Sequence, residues 1–262
     1  MKDQDTRLNI TIIQTELAWE QTEKNLEHFY SRINEISGET DLVILPEMFT
    51  TGFSMQPEKL AEPTEGKTLK WMQSVAAEKN TTLTGSLIIN ENNNYYNRLF
   101  VVAPEGDYTI YDKRHLFRMG EENQHYTAGN KRVILNIGSW RILPLICYDL
   151  RFPVWSRNQN DYDLSIYIAN WPEVRRHVWR TLLMARALEN QVYVAGVNRI
   201  GRDGNGLTYS GDSMVVDPRG SVLTRTEPNQ ESVETVALSL DELNRFREKF
   251  PVGKDADEFI IK

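Results

Sequence analysis

Three side chains that can carry out acid–base or nucleophilic chemistry lie just past short apolar runs of the sequence. They are Glu47, Lys113 and Cys147, and the cysteine is the only one in 262 residues. A short apolar run that stops at a polar residue is typical of a buried strand, and open α/β proteins bind their ligands at strand ends. If the three strands run side by side in one direction, we expect the carboxylate, the amine and the thiol to share one pocket.

The three groups supply what an attack on a carbonyl carbon requires. A free thiol is mostly protonated at neutral pH, so Cys147 needs a base to become a nucleophile, and Glu47 can be that base. The Lys113 ammonium can stabilise the oxyanion of a tetrahedral intermediate, together with the backbone N–H of Tyr148, the residue after the nucleophile. The set therefore indicates nucleophilic catalysis at a carbonyl group.

Each of these residues also has a structural interpretation. A lone cysteine is often a small buried hydrophobe, and an acid or a lysine past a strand is often a solvated turn residue. A papain-like pair of Cys147 with a histidine is a further alternative, in which a histidine change abolishes activity and Lys113→Ala has a mild effect. Rapid alkylation of Cys147 near neutral pH is expected of an activated thiol and not of a buried, inert one.

Alternating strand and helix patterns indicate the α/β scaffold that must position these groups. Hairpin patterns at 82–103 and 132–147 predict mixed sheets, and about a dozen strands are more than one open sheet usually carries. We therefore predict two packed sheets in a single domain over residues 1–262. Helices are predicted at 20–37, 64–79, 174–189 and 241–250, the last capped by Asp241, and a loop and a turn are predicted at 118–129 and 201–206.

The composition narrows the classes of partner. The net charge is −7 and no block of lysines or arginines occurs, which argues against nucleic acid and acidic membrane surfaces as partners. The polar first residues contain no apolar signal core, and no run is long enough to span a bilayer. A single cysteine fits a reducing compartment, so we predict a cytoplasmic protein. The four histidines lack metal-ligand spacing, and no metal site is predicted.

Longer motifs around the three residues resemble those of a known family. The motifs are LPEMF at 45–49, YDKRHLF at 111–117 and CYDLRFP at 147–153, supported by NWP at 170–172 and ARALENQ at 185–191. In order and spacing they resemble the three catalytic motifs of the nitrilase (carbon–nitrogen hydrolase) superfamily, over residues 8 to about 250. The variants FTTGF at 49–53 and KRHLFRM at 113–119 are similar to those of the omega-amidase branch.

The resemblance implies a fold, a reaction and a role for each residue. The implied fold is a four-layer α-β-β-α sandwich with two packed mixed sheets, which agrees with the strand count, and members commonly form homodimers. Glu47 is implied as the general base, Lys113 as the oxyanion stabiliser, and Cys147 as the residue that forms a thioester and releases ammonia. A second glutamate is implied between the lysine and the cysteine. Glu121 and Glu122 both qualify, and we favour Glu122.

The substrate that the resemblance implies is the omega-amide of a small dicarboxylic acid, 2-oxoglutaramate, hydrolysed without a cofactor. Within the superfamily, a nitrile, an N-carbamoyl amino acid or another short amide is the alternative. Outside enzymes, the alternative is a binding or scaffold protein of the same fold with a vestigial site. Intact Glu47, Lys113 and Cys147 argue against that last interpretation.

Arginines are candidates for binding a substrate carboxylate, because a guanidinium group can form a bidentate pair with it. Arg151 is one candidate, although an ion pair with a structural acid such as Asp149 is the alternative that we favour. The same two interpretations apply to Arg175 and Arg176 at the start of the long predicted helix. Two aromatic side chains are further candidates for pocket residues, with packing in the core as the alternative: Trp171, which follows a strand end, and His115.

Overall fold

The computed structural model describes residues 6–261, in which fourteen β-strands and seven α-helices occur. The strands are β1 (Arg7–Gln14), β2 (Leu42–Ile44), β3 (Glu62–Pro63), β4 (Thr82–Glu91), β5 (Asn94–Val102), β6 (Tyr108–Asp112), β7 (Leu135–Ile137), β8 (Trp140–Ile146), β9 (Leu164–Ala169), β10 (Tyr193–Asn198), β11 (Ile200–Arg202), β12 (Thr208–Ser210), β13 (Met214–Val216) and β14 (Ser232–Ser239). The helices are α1 (Thr22–Asn34), α2 (Pro57–Leu60), α3 (Lys67–Lys79), α4 (Glu122–His125), α5 (Pro153–Ser156), α6 (Arg176–Asn190) and α7 (Leu240–Lys249).

Twelve of these strands form two mixed sheets, as predicted. The larger sheet has the order β14-β1-β2-β4-β5-β6, with β3 paired to β4. Its strands β1, β2 and β4 are parallel, whereas β14 and β5 are antiparallel to their neighbours. The smaller sheet has the order β13-β10-β9-β8-β7, with β8, β9 and β10 parallel. The remaining strands, β11 and β12, form a separate hairpin.

Both faces of the larger sheet are covered by apolar side chains. Successive side chains of a strand point to opposite sides of the sheet, so the same strands contribute to two cores. One set of side chains shares a core with the smaller sheet: Ile10, Ile12, Leu42, Ile44 and Leu99. The other set packs against α1 and α3: Ile13, Val43, Leu83, Leu87 and Phe100. The first set holds the two sheets together, and the second attaches an outer layer of helices.

Helix α6 forms the layer on the other side, against the smaller sheet. Its residues Trp179 and Leu183 are fully buried and approach β10 closely at Gly196. A Cβ atom at Gly196 would lie only 2.4 Å from Leu183 Cδ1, so the absence of a side chain there allows the helix to reach the sheet. The layer order is therefore α-β-β-α, which confirms the predicted four-layer sandwich.

The strands that precede the three candidate residues do not lie side by side, contrary to the simplest expectation. Strands β2 and β6 belong to the larger sheet and are separated by β4 and β5, whereas β8 belongs to the smaller sheet. The two sheets pack face to face, and β5 contacts β8 across their interface. The ends of β2, β6 and β8 therefore meet between the sheets instead of along one edge.

Two local predictions are wrong. Ser239, not Asp241, caps α7, because its Oγ accepts the N–H of Glu242 at 3.2 Å, while Asp241 accepts a hydrogen bond from Thr6 Oγ1. The predicted loop at 118–129 contains a 3₁₀ turn at Arg118–Gly120 and, one residue later, α4. Both elements are only one turn long, too short for a periodic pattern to show in the sequence.

No helix within residues 6–261 combines the length and apolar character that a membrane span requires. The prediction of a single domain over 1–262 includes residues 1–5 and residue 262, which lie outside the described part of the chain, and it stays a prediction.

Candidate active site

Glu47 is held where the larger sheet meets the smaller one. Beyond β2 the chain stays bound to β4, with the N–H of Met48 donating to Ser86 Oγ at 2.8 Å. From the smaller sheet, Asn170 follows β9 and binds Glu47 twice. Its backbone N–H donates to Glu47 Oε2 at 2.8 Å, and its Nδ2 donates to the Glu47 carbonyl oxygen at 2.6 Å. The carboxylate is fully buried, so its orientation depends on both sheets.

Lys113 follows β6 and brings two carboxylates together. Its Nζ donates to Glu47 Oε1 at 2.8 Å and to Glu122 Oε1 at 2.9 Å, and all three side chains are inaccessible to solvent. Asn97 on β5 donates from Nδ2 to Glu47 Oε1 at 2.7 Å, and the N–H of Phe117 donates to Glu122 Oε2 at 2.6 Å. Each buried charge thus has several partners, as burial of a charge requires.

Of the two neighbouring glutamates, the structure brings only Glu122 to Lys113. Glu122 is fully buried, whereas Glu121 is exposed and has a left-handed backbone with a φ of +60°. That backbone conformation reverses the chain between the 3₁₀ turn and α4, which directs the next residue inward. The choice between the two acids therefore depends on a local turn rather than on their spacing from Lys113.

The charges of this cluster affect one another strongly. Burial would lower the pKa of Lys113, but the Glu122 and Glu47 carboxylates outweigh that effect and raise it above its ordinary value. Burial raises the pKa of Glu122, and Lys113 opposes that shift while Glu47 adds to it. Lys113 therefore remains a full ammonium ion at neutral pH, which is the state that can stabilise an oxyanion.

Cys147 lies in a strained backbone conformation at the end of β8. Its φ of +43° is in the left-handed region, which is uncommon for a residue with a side chain and is concentrated at functional sites. It starts a 3₁₀ turn, Cys147–Arg151, whose second residue is Tyr148. The first N–H groups of such a turn have no partner within it, so the N–H of Tyr148, the residue after Cys147, is not used by the turn's own hydrogen bonds.

The thiol of Cys147 is protonated in the resting protein. Burial raises its pKa well above the ordinary value, the nearby Glu47 carboxylate adds to the shift, and Lys113 opposes it. Its Sγ lies 3.9 Å from the carbonyl oxygen of Asn170, and the residue remains partly exposed. The structure thus places a neutral thiol next to a carboxylate that can take its proton during attack.

Several of the residues predicted from the sequence line a cavity of about 120 Å³. Lys113, Cys147 and Tyr148 line it, as does Trp171, together with two arginines, Arg151 and Arg175. Drug-sized ligands need cavities of roughly 300 Å³ or more, so this one suits a smaller molecule. Among residues 6–261, no group of three or more His, Cys, Asp or Glu side chains is arranged to hold a metal ion.

The structure adds pocket residues that the sequence did not reveal. The predicted turn at 201–206 is part of the β11–β12 hairpin, and four of the hairpin residues line the cavity: Asp203, Asn205, Leu207 and Tyr209. Asn97 and Asn170 were likewise not predicted, although Asn170 follows β9 just as the three candidate residues follow their strands. That strand-end position was the available signal for Asn170.

His115 does not line the cavity, contrary to its prediction as a substrate-binding residue. Its Nδ1 lies 2.8 Å from Asp149 Oδ1, and its ring is stacked on Phe152 at 3.8 Å between centroids. Asp149 also accepts the N–H of His115 and, through Oδ2, the hydroxyl of Tyr111 and the N–H of Ile146. This carboxylate therefore joins the segment that carries Lys113 to the turn that carries Cys147.

The arginine predictions are resolved differently for each residue. Arg151 forms no ion pair with Asp149 or any other acid within residues 6–261, and its guanidinium lies 5.2 Å from the centre of the Trp171 ring. Arg176 is bound by Asp212 through two hydrogen bonds and is structural. Arg175 lies at the cavity, 5.5 Å from the centre of the Phe117 ring. Trp171 forms a wall of the pocket, as expected.

The family model described as carbon–nitrogen hydrolase matches residues 9–248 of this chain. The protein therefore belongs to the carbon–nitrogen hydrolase family, which confirms the resemblance found in the motifs.

Individual relatives cover almost the whole chain. The chain is 48% identical over 252 residues to the omega-amidase YafV of Escherichia coli (strain K12), covering 96% of this chain and 98% of that protein. It is 29% identical to the 2-oxoglutaramate amidase of Bacillus subtilis (strain 168), with 94% and 96% covered. A crystal structure of a CN-hydrolase superfamily protein from Xanthomonas campestris, with an arsenic adduct in its active site, superposes with a TM-score of 0.95. That protein is 41% identical, and 98% of this chain and 99% of that chain are covered.

The raised pKa of Cys147 changes the expected alkylation behaviour. Because alkylation requires the thiolate, we expect the rate with iodoacetamide to be low at pH 7 and still to increase with pH above about 9.5, one unit above the ordinary cysteine pKa of about 8.5, where a free cysteine levels off. The measurement is intact-protein mass spectrometry from pH 6.5 to 10, with N-acetylcysteine as reference and Cys147→Ala as the unlabelled control. A rate that levels off below pH 8 would show an activated thiolate instead.

Asp149 is expected to matter for turnover although it does not line the cavity. Asp149→Asn replaces an acceptor of four hydrogen bonds by a group that is partly a donor, which displaces Lys113 relative to Cys147. We expect kcat for amide hydrolysis to fall about 100-fold with a much smaller change in KM, since a displacement near 1 Å can have that effect. Asp161→Asn, which affects an ion pair with Arg132 away from the cavity, is the matched control. Equal kcat values for the two variants would refute the positioning role.

Proposed function

We propose that this protein is an omega-amidase that hydrolyses the terminal amide of a small dicarboxylic acid, 2-oxoglutaramate, to 2-oxoglutarate and ammonia. The observation that carries the proposal is that Lys113 and Cys147 line one small cavity while Glu47, buried behind it, is bound directly to Lys113. The similarity to proteins named omega-amidase and 2-oxoglutaramate amidase supports this choice among amides. In the proposal the chemistry needs only groups that the chain itself provides.

In the first half of the proposed reaction, Cys147 Sγ attacks the amide carbonyl carbon while Glu47 takes the thiol proton. Lys113 and the Tyr148 N–H stabilise the oxyanion of the tetrahedral intermediate. The carbon–nitrogen bond then breaks, and the proton held by Glu47 passes to the leaving nitrogen, which departs as ammonia. The product is a thioester between the acyl group and Cys147.

In the second half, water replaces ammonia. Glu47 accepts a proton from the water as its oxygen attacks the thioester carbon, and the same oxyanion donors act again. The carbon–sulfur bond breaks, and the proton returns from Glu47 to the sulfur. The acid product leaves, and the thiol and carboxylate return to their resting states, so one base serves both halves.

Glu122 has a positioning role in this proposal. It accepts hydrogen bonds from Lys113 Nζ and from the N–H of Phe117, so it fixes the ammonium group relative to the segment that borders the cavity. Its third hydrogen bond, accepted from Asn97 Nδ2 at 3.3 Å, connects it to the amide that also binds Glu47. Without Glu122 the ammonium would have only one carboxylate partner and would be free to turn away from the substrate.

A histidine-based mechanism receives no geometric support. No histidine within the described residues 6–261 lines the cavity with Cys147. His115, which is near in sequence to Lys113, is bound to Asp149 and stacked on Phe152. Its replacement is therefore expected to act through Asp149 and not through loss of a base.

The proposed activity is tested by ammonia release from 2-oxoglutaramate. We expect Cys147→Ala to abolish it, and Glu47→Gln and Lys113→Ala each to lower kcat by about 1,000-fold, as the loss of a base or an oxyanion donor does. Glu122→Gln should lower kcat, whereas its exposed neighbour in Glu121→Gln should not. Ammonia at the level of the Cys147→Ala control would refute the substrate, and carbon dioxide with ammonia from an N-carbamoyl amino acid would indicate a carbamoylase.

We also propose a homodimer that uses α5, α6 and the segment before α6. Trp155 itself is buried, but Val154 is 58% exposed and Val174 is 80% exposed, and in the proposed dimer these apolar side chains are covered by the partner, which removes apolar surface from water. Light scattering is expected to give about twice the chain mass of 30.4 kDa. Val154→Glu should shift it toward the monomer, while Val222→Glu, exposed elsewhere, should not. A wild-type mass of 30.4 kDa would contradict the dimer.

The cytoplasm is the compartment that we propose for this activity. The one cysteine of the sequence is the nucleophile of the proposed reaction, and a reducing compartment keeps a catalytic thiol from oxidation. The acidic composition, with a net charge of −7, also fits a small-molecule substrate better than a nucleic acid.

A further inference from the structure

Two guanidinium groups line the cavity without a carboxylate partner. Arg151 and Arg175 form no ion pair with any acid among residues 6–261, whereas Arg176, next in sequence, is held by Asp212. Each of the two lies near an aromatic ring instead, Arg151 at Trp171 and Arg175 at Phe117. A ring face attracts a cation without neutralising its charge, so both groups keep their hydrogen-bond donors available.

The acids near the cavity are already occupied. Asp203 lines it, but its Oδ1 accepts the N–H groups of Asn205 and Leu207, and its Oδ2 accepts the hydroxyl of Tyr209. Glu47 and Glu122 are buried and bound to Lys113. Among residues 6–261, none of these acids forms an ion pair with Arg151 or Arg175, so both guanidinium groups remain able to bind an anion.

Trp171 connects the two arginines to each other. Its ring lies beneath Arg151, and its Nε1 donates to the carbonyl oxygen of Arg175 at 2.9 Å. The backbone N–H of Trp171 donates to Asn198 Oδ1 at 2.8 Å, which fixes the backbone at the end of β9. One buried side chain thus sets the position of both charged groups relative to Asn170 and, through it, to Glu47.

We propose that Arg151 and Arg175 together form a carboxylate-binding subsite that holds the end of the substrate remote from the scissile amide. This inference rests on the proposed function and specifies its substrate class: a short linear amide that carries a carboxylate at its other end. Planar guanidinium groups match the two oxygens of a carboxylate, and the cavity volume of about 120 Å³ limits the length of the chain between the two ends.

The test compares two amides of equal chain length. Glutaramate has a carboxylate where pentanamide has a methyl group, so the pair isolates the charged end. We expect Arg151→Gln and Arg175→Gln each to lower kcat/KM for glutaramate by about 30-fold, mainly through KM, the effect of losing hydrogen bonds to a charged group. On pentanamide the loss should stay below about threefold, since no carboxylate is present to lose a partner.

Two further variants sharpen the result. Arg118→Gln removes an exposed arginine that lies near the cavity but does not line it, and it should affect neither amide. In the double variant of Arg151 and Arg175, the loss on glutaramate should be smaller than the product of the two single losses, because both groups bind one carboxylate and are not independent. Equal losses on both amides, or no loss for either single variant, would overturn the subsite.

A binding experiment separates the subsite from the proposed activity. In Cys147→Ala, which cannot form the thioester, calorimetry should detect binding of 2-oxoglutarate, and adding Arg175→Gln should weaken it about 30-fold. Adding Arg175→Lys should weaken it less, because the charge remains. If the wild-type chain does not hydrolyse 2-oxoglutaramate, the proposed function fails, yet this binding experiment still decides the subsite. Equal affinities of Cys147→Ala with and without Arg175→Gln would overturn it.

Discussion

The ammonium group of Lys113 is the interaction on which the site depends. It lies between two carboxylates that no solvent reaches, and neither acid could be buried as an anion without it, because an isolated buried charge is strongly destabilised. Two acids and one base leave the cluster with an excess of negative charge. Burial raises the pKa of the neighbouring thiol and that of Glu122, and the excess negative charge adds to both shifts through Glu47. The electrostatics of the site thus follow from one cation placed between two anions.

The arrangement of the active site requires a fixed alignment of the two packed sheets. Glu47 and Lys113 come from the larger sheet, and Cys147 and Asn170 come from the smaller one. The contacts that join them are polar, including the two hydrogen bonds from Asn170 to Glu47 and the three that Asp149 forms with Tyr111 and His115. The apolar interface supplies the attraction between the sheets, but it is tolerant of small displacements. The polar contacts have the directional geometry that fixes the sulfur relative to the ammonium group.

Much of this structure can be predicted from the sequence, and the contacts that could not be predicted share a physical reason. The apolar runs and hairpins predict the strands, the layers and the positions of Glu47, Lys113 and Cys147, because strand patterns are local and strand ends are visible. Asn170 contacts Glu47 across 123 positions of the chain, and no local pattern reports a contact of that length. The pairing of His115 with Asp149, and the absence of such a pairing for Arg151, depend likewise on where distant segments come to lie.

The left-handed backbone at Cys147 couples the assembly of the protein to its chemistry. A residue with a side chain adopts that conformation at an energetic disadvantage, and here the surrounding turn, held by Asp149, keeps it in place. Asp149 in turn needs Tyr111 and His115, which come from the opposite sheet's last strand and the segment after it. In a chain with misaligned sheets these contacts to Asp149 would be lost, and the backbone of Cys147 would relax to an ordinary conformation. Correct assembly is therefore the condition under which the thiol is held beside Glu47 and Lys113, and a misassembled copy would carry a cysteine without these partners.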